Sequence, residues 1–289
     1  MKVYIYPNLK KNNCEQYTRE ACAILAESGT ELLMDMSYQH IFGDISSIEF
    51  SDQAESIKRC DLVIVIGGDG TILKCAIAAA SEKKPILGIN CGRLGFMASL
   101  EREDLGLLRS IKECGSTLSR RMMLKITSED GQVFHALNDA VFSKADDCKI
   151  ADFKVEKNGM TISYLRADGV IFSTATGSTA YSMSAGGPII EPEMQCIEFT
   201  QMCPHSLFAR TILLSPDSKV TVSLHCAENS HAFVNVDGNT VLKLTDKAKI
   251  TIERSELMLD IMDIKGNSFF GSVNDKLMQP LKGSTGENI

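Results

Sequence analysis

Gly67-Gly68-Asp69-Gly70-Thr71 follows a β-branched apolar run and precedes an Ala-rich one. Three glycines in four positions let the backbone turn sharply and bring its N–H groups close to a ligand. A helix starting there adds partial positive charge, so the loop is an anion site suited to phosphates. It lacks the Lys-Ser/Thr of a Walker A loop and the spacing of G-x-G-x-x-G. Asp69 is the unusual element, because a carboxylate in a phosphate cradle repels its ligand unless it has a task. It is a candidate general base for a hydroxyl, or a metal ligand offsetting its own charge. The plainer alternative is a helix cap.

Three further stretches carry chemistry. Gly88–Phe96 leaves a second strand through a glycine loop, where Phe96 either stacks on a base or plugs the core. Leu137-Asn138-Asp139-Ala140 sets an amide beside a carboxylate, a pair that binds ribose hydroxyls or an adenine edge but is also ordinary turn chemistry. Arg166 to Pro188 is the longest: a strand over Val170–Ser173 runs into hydroxyls and small residues that include Thr176, Thr179, Ala180, Tyr181 and Ser184. Such a loop exposes backbone amides and short donors to a polar ligand, and Tyr181 offers an aromatic face. The five histidines show no H-x-x-x-H pattern, and His225, Cys226 and His231 read as strand positions rather than a metal site. Lys10-Lys11 reads as a solvated turn rather than a phosphate clamp.

The elements that hold these motifs change character along the chain. Strands are expected at 2–6, 31–36, 61–66 and 85–90, with helices at 14–28, 72–81 and 105–111, an open parallel α/β sheet. After residue 116 short alternating segments replace helices: 124–128, 133–136, 153–157, 161–165, 220–225, 232–236, 248–253 and 258–261. Asp130-Gly131, Asn158-Gly159, Asp168-Gly169 and Asp237-Gly238 mark turns between them. This predicts an all-β second region and a boundary near 112–118, with a frayed tail after Gly283.

Composition narrows the class. The 289 residues are 44% hydrophobic and 23% charged, ordinary for a soluble globular protein. A net charge of −7 with no Lys/Arg-rich run disfavours nucleic acid as a partner. It also means that a phosphorylated ligand needs local neutralisation by loop amides and a divalent metal. Ten cysteines include no C-x-x-C, and no signal segment or membrane-length apolar stretch is visible. We read a cytoplasmic chain with reduced thiols and no membrane partner.

Taken in order, GGDGT at 67–71, GINCGRLGF at 88–96, LND at 137–139 and ADGVIFSTATGSTAYSMSAGGP at 167–188 resemble the bacterial NAD kinases. CPHSL at 203–207 and VDG at 236–238 add support, and the resemblance covers about residues 1 to 280. GGDGT alone also occurs in lipid kinases and has a relative in phosphofructokinases; the TGSTAYSMSAGGP run is the specific part. The resemblance implies an α/β domain over 1–115, a β-sandwich-like domain over 116–265, and a segment 266–289 packing back on the first. It implies phosphorylation of the adenosine ribose 2′-hydroxyl of NAD to NADP, with ATP or polyphosphate as donor and magnesium as the expected cation. Asp69 would be the base. Gly67, Gly68, Gly70 and Thr71 would hold donor phosphates, with no fixed protein ligand to the metal. Gly70, Phe96, Asn138, Asp139, Asp168, Thr176, Thr179, Ala180, Tyr181 and Ser184 would bind NAD, with Asp168 towards the nicotinamide end. A homodimer or homotetramer is implied as well. The sequence departs from the common pattern at Asp139, where many members have Glu, at Ala175, where many have Pro, and at Gln201-Met202. A lipid or sugar kinase and a non-catalytic dinucleotide sensor are the competing readings. The polar run from Ser173 to Ser184 argues against the first, and retention of Asp69 against the second.

Overall fold

Leu62–Gly67 is buried along its whole length, as a central parallel strand of β-branched residues must be. Around it the computed structural model forms two compact units, one from residues 1–119 and 260–289 and one from 120–259. The structure describes residues 1–92, 95–112, 117–145, 151–206, 209–226, 230–266 and 269–277. Arg93, Leu94, Leu207, Cys114, Cys148, the tail and most of the expected boundary at 112–118 lie outside the described residues.

In the first unit β1 (Lys2–Pro7), α1 (Cys14–Glu27), β2 (Glu31–Asp35), α2 (Gln39–Phe42), β3 (Ile48–Ser51), α3 (Gln53–Arg59), β4 (Leu62–Gly67), α4 (Asp69–Ser81) and β5 (Ile86–Asn90) alternate. The strands are parallel, in the order β5-β4-β1-β2-β3. Right-handed crossovers therefore send α1 and α4 to opposite faces, and a crevice opens at the carboxyl ends of β1 and β4. Val3, Ile5, Leu25, Ile64, Ile66 and Leu87 belong to one core. β3 and α3 carry no strong periodicity, and the sequence reading missed both. The helix expected at 105–111 is instead a 3₁₀ segment, Arg102–Ser110, burying Leu105 and Leu108 three residues apart.

The second unit carries β6 (Thr117–Ser128), β7 (Val133–Ala136), β8 (Asp139–Lys144), β9 (Ala151–Lys157), β10 (Met160–Ala167) and β11 (Gly169–Ser173). After α5 (Tyr181–Ser184) come β12 (Ile197–Met202), β13 (Ile212–Leu214), β14 (Val220–Cys226), β15 (Ala232–Val236), β16 (Asn239–Leu244) and β17 (Lys249–Asp263). Its strands pair antiparallel as β10-β9-β14-β17, with β6 on β17 and β7, and as a second sheet, β13-β12-β11-β8-β15-β16. One core joins both layers, and within it Phe172 stacks on Phe199 at 5.1 Å and meets Phe142 edge-on at 5.9 Å. Asp168-Gly169 is not a hairpin, since β10 and β11 lie in different sheets. The segments expected at 248–253 and 258–261 are one strand. Arg254-Ser255-Glu256 stays extended between them, with buried Ser255 Oγ 2.8 Å from His135 Nδ1. From Asp260 on β17 belongs to the first unit, where Ile261 pairs with Ile86. There α6 (Phe269–Leu277) follows, with the Phe269 ring 6.4 Å from that of Phe96.

Candidate active site

On the first unit the chain leaves β4 through Gly67 and Gly68. Gly68 has φ +133° and ψ −178°, a conformation L side chains rarely adopt, and no side chain caps α4. The N-terminal amides of a thirteen-residue helix are thus left open beside an exposed Gly70, the arrangement an anion requires. Thr71 is buried, and its Oγ1 accepts from Asn8 Nδ2 at 3.0 Å. Lys11 Nζ donates to Gly67 O at 2.5 Å and stands 2.7 Å from where a Cβ on Gly68 would lie. The lysine read as solvated is therefore fixed at the phosphate loop.

Asp69 is the first residue of α4, not its cap; Gly68 is. Its Oδ2 accepts from Phe96 N at 2.7 Å, and its Oδ1 from Met97 N at 3.1 Å and Ala98 N at 3.2 Å. Gly95 makes this possible, since a Cβ there would sit 1.9 Å from Asp69 Oδ1. A carboxylate accepts at about four lone-pair positions. Three are filled, and the one left is on Oδ2, available to a hydroxyl. Phe96 is half-buried against Phe269, so its ring packs within the first unit. Asn90 Oδ1 is buried with no hydrogen-bond partner, 3.2 Å from the same Cβ position on Gly68.

On the second unit Asp139 begins β8 and Asn138 directly precedes it, and both are buried. Asp237 holds them: Oδ2 accepts from Leu137 N, and Oδ1 from Asn138 N and Asp139 N, at 2.8, 2.8 and 3.2 Å. Asp237 has φ 46° and, in turn, donates its own N–H to Asp139 O at 3.1 Å. The Ser/Thr turn docks on the same segment. Thr174 N donates to Asn138 O at 2.9 Å, Thr174 Oγ1 to Leu137 O at 2.6 Å, and Gly177 N to Thr174 Oγ1 at 3.1 Å. Asn138 Oδ1 and Thr176 Oγ1 are buried without partners. Buried polar atoms in folded proteins nearly always have a partner, so these two mark where a polar ligand belongs. Thr179, Ala180, Tyr181 and Ser184 follow at the surface, and Tyr181 leaves 47% of itself open, enough to present a ring face.

Burial raises the carboxyl of Asp139, and the Asp237 and Glu198 charges push it further, to about 7. Burial also raises Asp237, against the pull of its three amide bonds. Glu198 is fully buried with Oε2 unpartnered, and burial raises it too. Asp168 is set apart from this group. It lies before β11 while Thr174 follows it, six residues on and about 20 Å away at 3.3 Å per residue. There Asp168 pairs with Lys144 at 2.7 Å.

The structure thus gathers Asn138, Asp139 and Thr176 on one unit, and Gly67, Gly68, Asp69, Gly70 and Thr71 on the other. Sequence reasoning missed Lys11, Asn90 and Glu198, and read Asp237 only as a turn residue. Lys11 alone carried a signal, its place just beyond a strand end. Among the described residues no cluster of three His, Cys, Asp or Glu is arranged for a metal, and no helix is long and apolar enough to cross a membrane.

A phosphate cradle with a carboxylate at its rim, together with orphaned hydroxyl and amide oxygens on the second unit, is the equipment of a phosphotransferase for a small polar acceptor. Residues 3–109 match the ATP-NAD kinase N-terminal domain, and residues 137–263 the ATP-NAD kinase C-terminal domain. The NAD kinase of Caldanaerobacter subterraneus subsp. tengcongensis is 33% identical over 96% of this chain and 99% of its own. That of Desulforamulus reducens is 36% identical over 94% and 95%. Yeast NADH kinase complexed with NADH superposes with TM-score 0.88 at 22% identity, over 100% of this chain and 90% of its own. The NAD kinase of Archaeoglobus fulgidus in complex with ATP gives 0.72 at 23%, over 95% and 99%. The chain belongs to the NAD kinase family, and the lipid- or sugar-kinase alternative falls with that match across both units.

Proposed function

We infer that the chain transfers the terminal phosphoryl group of ATP to the 2′-hydroxyl of the adenosine ribose of NAD, giving NADP. The observation that carries this reading is Asp69, a carboxylate at an uncapped helix N-terminus with one lone-pair position left over. Phosphoryl transfer needs positioning and charge neutralisation more than covalent chemistry. Gly67, Gly68, Gly70 and Thr71 receive the donor phosphates, with the Lys11 ammonium beside them. Asp69 Oδ2 accepts the ribose hydroxyl proton as the oxygen attacks. Asn138 and Asp139 bind the adenosine portion, with Thr176, Thr179, Ala180, Tyr181 and Ser184 along the same turn. Phe96 and Asp168 contribute to NAD from further off.

A divalent cation, magnesium in this reading, neutralises donor phosphates when bound. Both Asp69 oxygens face amides, and among the described residues no carboxylate cage is arranged for it. Asn90 Oδ1 is a buried, unpartnered oxygen at the loop, which suits a cation that keeps its waters and rides on the donor. The same reading places the chain in the cytoplasm as a homodimer or homotetramer, with polyphosphate as a possible second donor. The test is incubation with NAD, magnesium and ATP, following NADP with an NADP-specific dehydrogenase and running polyphosphate in parallel. NADP forms with ATP. Its absence, with NAD and ATP both bound, would overturn the reading in favour of a sensor.

A further inference from the structure

Two free cysteines meet at the carboxyl end of β4, where the phosphate loop begins. Cys14 is the first residue of α1 and is buried, and its Sγ donates to Ile66 O at 3.1 Å. Cys91 follows β5 directly, and its N–H donates to Gly67 O at 3.5 Å. Adjacent carbonyls of one strand thus hold the two residues, and the Cys91 thiol hydrogen-bonds that of Cys14. Topology brings them together. β4 lies between β1 and β5, so the chain leaving β1 and the chain leaving β5 both pass its end.

The two thiols are chemically unequal. Asn13 gives α1 no side-chain cap, so Cys14 stands at an open helix N-terminus, which favours a thiolate. The Cys91 hydrogen bond chiefly, with the Lys11 ammonium, holds the Cys14 thiol below the ordinary range against the opposing effect of burial. The same hydrogen bond, together with burial, pushes Cys91 up. Cys91 is the partly exposed member, so it opens the pair to solvent. Cys22, Cys60 and Cys75 are buried, with thiols raised by burial to about 12, 11 and 12, which leaves them unreactive.

We propose that Cys14 and Cys91 are an oxidant-sensing pair, which hydrogen peroxide closes into a disulfide that slows phosphoryl transfer. The Cys14 thiolate attacks one peroxide oxygen and the O–O bond breaks. The departing hydroxide takes up the proton that the thiol gave up and leaves as water. The Cys91 sulfur then displaces the hydroxyl of the Cys14 sulfenic acid, and that hydroxyl leaves with the Cys91 proton as a second water. Two thiols are oxidised and the peroxide is reduced; a dithiol reverses the bond. An S–S bond of about 2.05 Å draws Cys91 towards α1. Cys91 N is bonded to Gly67 O, and the segment after Cys91 supplies the Phe96, Met97 and Ala98 amides that grip Asp69. Closure therefore displaces the phosphate loop and the candidate base together. The effect on turnover rests on the phosphoryl-transfer reading, whereas the bond itself does not.

The full chain, reduced and then treated with hydrogen peroxide, tests this beside Cys91→Ser and Cys203→Ser. A tryptic digest made without reductant should contain the Cys14 and Cys91 peptides linked to each other. A misplacement of about 1 Å can cost about 10²-fold in rate, so kcat should fall at least about tenfold and return with dithiothreitol. Cys91→Ser should start near the wild-type kcat and lose far less of it at the same peroxide dose. Cys203→Ser removes an exposed thiol away from the pair and should respond as the wild type does. Absence of the linked peptide, a linked chain with unchanged kcat, or an equal loss in Cys91→Ser would overturn the pair. A wild-type chain that makes no NADP before treatment would instead overturn the phosphoryl-transfer reading, and the linked peptide would still report on the thiols.

Discussion

Asp69→Asn separates two roles that one carboxylate combines. In the folded chain that side chain accepts three backbone N–H bonds, one on Oδ2 and two on Oδ1. An asparagine offers a single carbonyl oxygen with two positions. Turned towards Met97 and Ala98, it presents its NH₂ group to the Phe96 N–H, donor against donor. One bond to a charged acceptor is lost, about 1.5–3 kcal/mol, and the two that stay become neutral and weaker. The sum is about 3–4 kcal/mol, which for a unit of this size lowers the melting temperature by about 10 °C. The hydroxyl also loses its acceptor, so kcat should fall about 10²–10⁴-fold while NAD still binds. Thermal melting, NAD titration and coupled-assay turnover read the three effects separately. Gly95→Ala is the companion variant: its Cβ would lie 1.9 Å from Oδ1 and 2.6 Å from Cγ, displacing the carboxylate with its charge intact. It should lower both stability and turnover. Near wild-type turnover in Asp69→Asn refutes the base, and an unchanged melting temperature refutes the amide clamp.

Other consequences follow from the second unit. Asp139, raised by burial to about 7 from the ordinary aspartate value of 3.8, binds its proton more tightly folded than unfolded. Its destabilisation is therefore absent below about pH 4, grows as pH rises towards 7 and is complete above, at most about 4 kcal/mol. Asp139→Asn should raise the melting temperature of the unliganded chain by an amount that increases over that window; a gain independent of pH contradicts the assignment. If the ionised carboxylate accepts ribose hydroxyls, the KM for NAD falls as pH rises through 7 in the wild type and not in this variant. Gly177→Ala places a Cβ 2.1 Å from Asn138 O, a backbone atom, and pries the Ser/Thr turn from the segment it docks on. Its loss of two hydrogen bonds and its overpacking sum to about 3–4 kcal/mol, visible in a melt together with a raised KM for NAD. Tyr181→Ala should raise the KM for NAD and leave that for ATP, measured by varying each substrate in turn; movement of the ATP constant alone places Tyr181 on the wrong ligand.

How much of this was legible depends on range. The β-branched run of β4 and the glycines after it lie in contiguous residues, so strand, loop and helix could be read together. The hairpins at Asp130-Gly131, Asn158-Gly159 and Asp237-Gly238 were legible for the same reason. Asp168-Gly169 looks the same in sequence yet connects two sheets, because what separates β10 from β11 is which core each strand buries into. β12, β13 and β16 escaped notice; short strands flanked by polar residues carry too little alternation to stand out.

The sequence by itself determined where phosphate-binding backbone and a carboxylate would meet, since Gly68 and Asp69 are neighbours and their geometry is local. It determined the two fold classes, since hydrophobic period is written into contiguous residues. Only the tertiary structure decided that Asp69 is gripped by amides 27 to 29 residues away, that Lys11 reaches Gly67 across 56, and that Asp237 holds residues 98 to 100 positions earlier. These are bonds from a side chain to the backbone of a distant segment. The backbone donor or acceptor is the same for every residue type, so nothing in the distant sequence announces the partner until the fold brings it within hydrogen-bond distance.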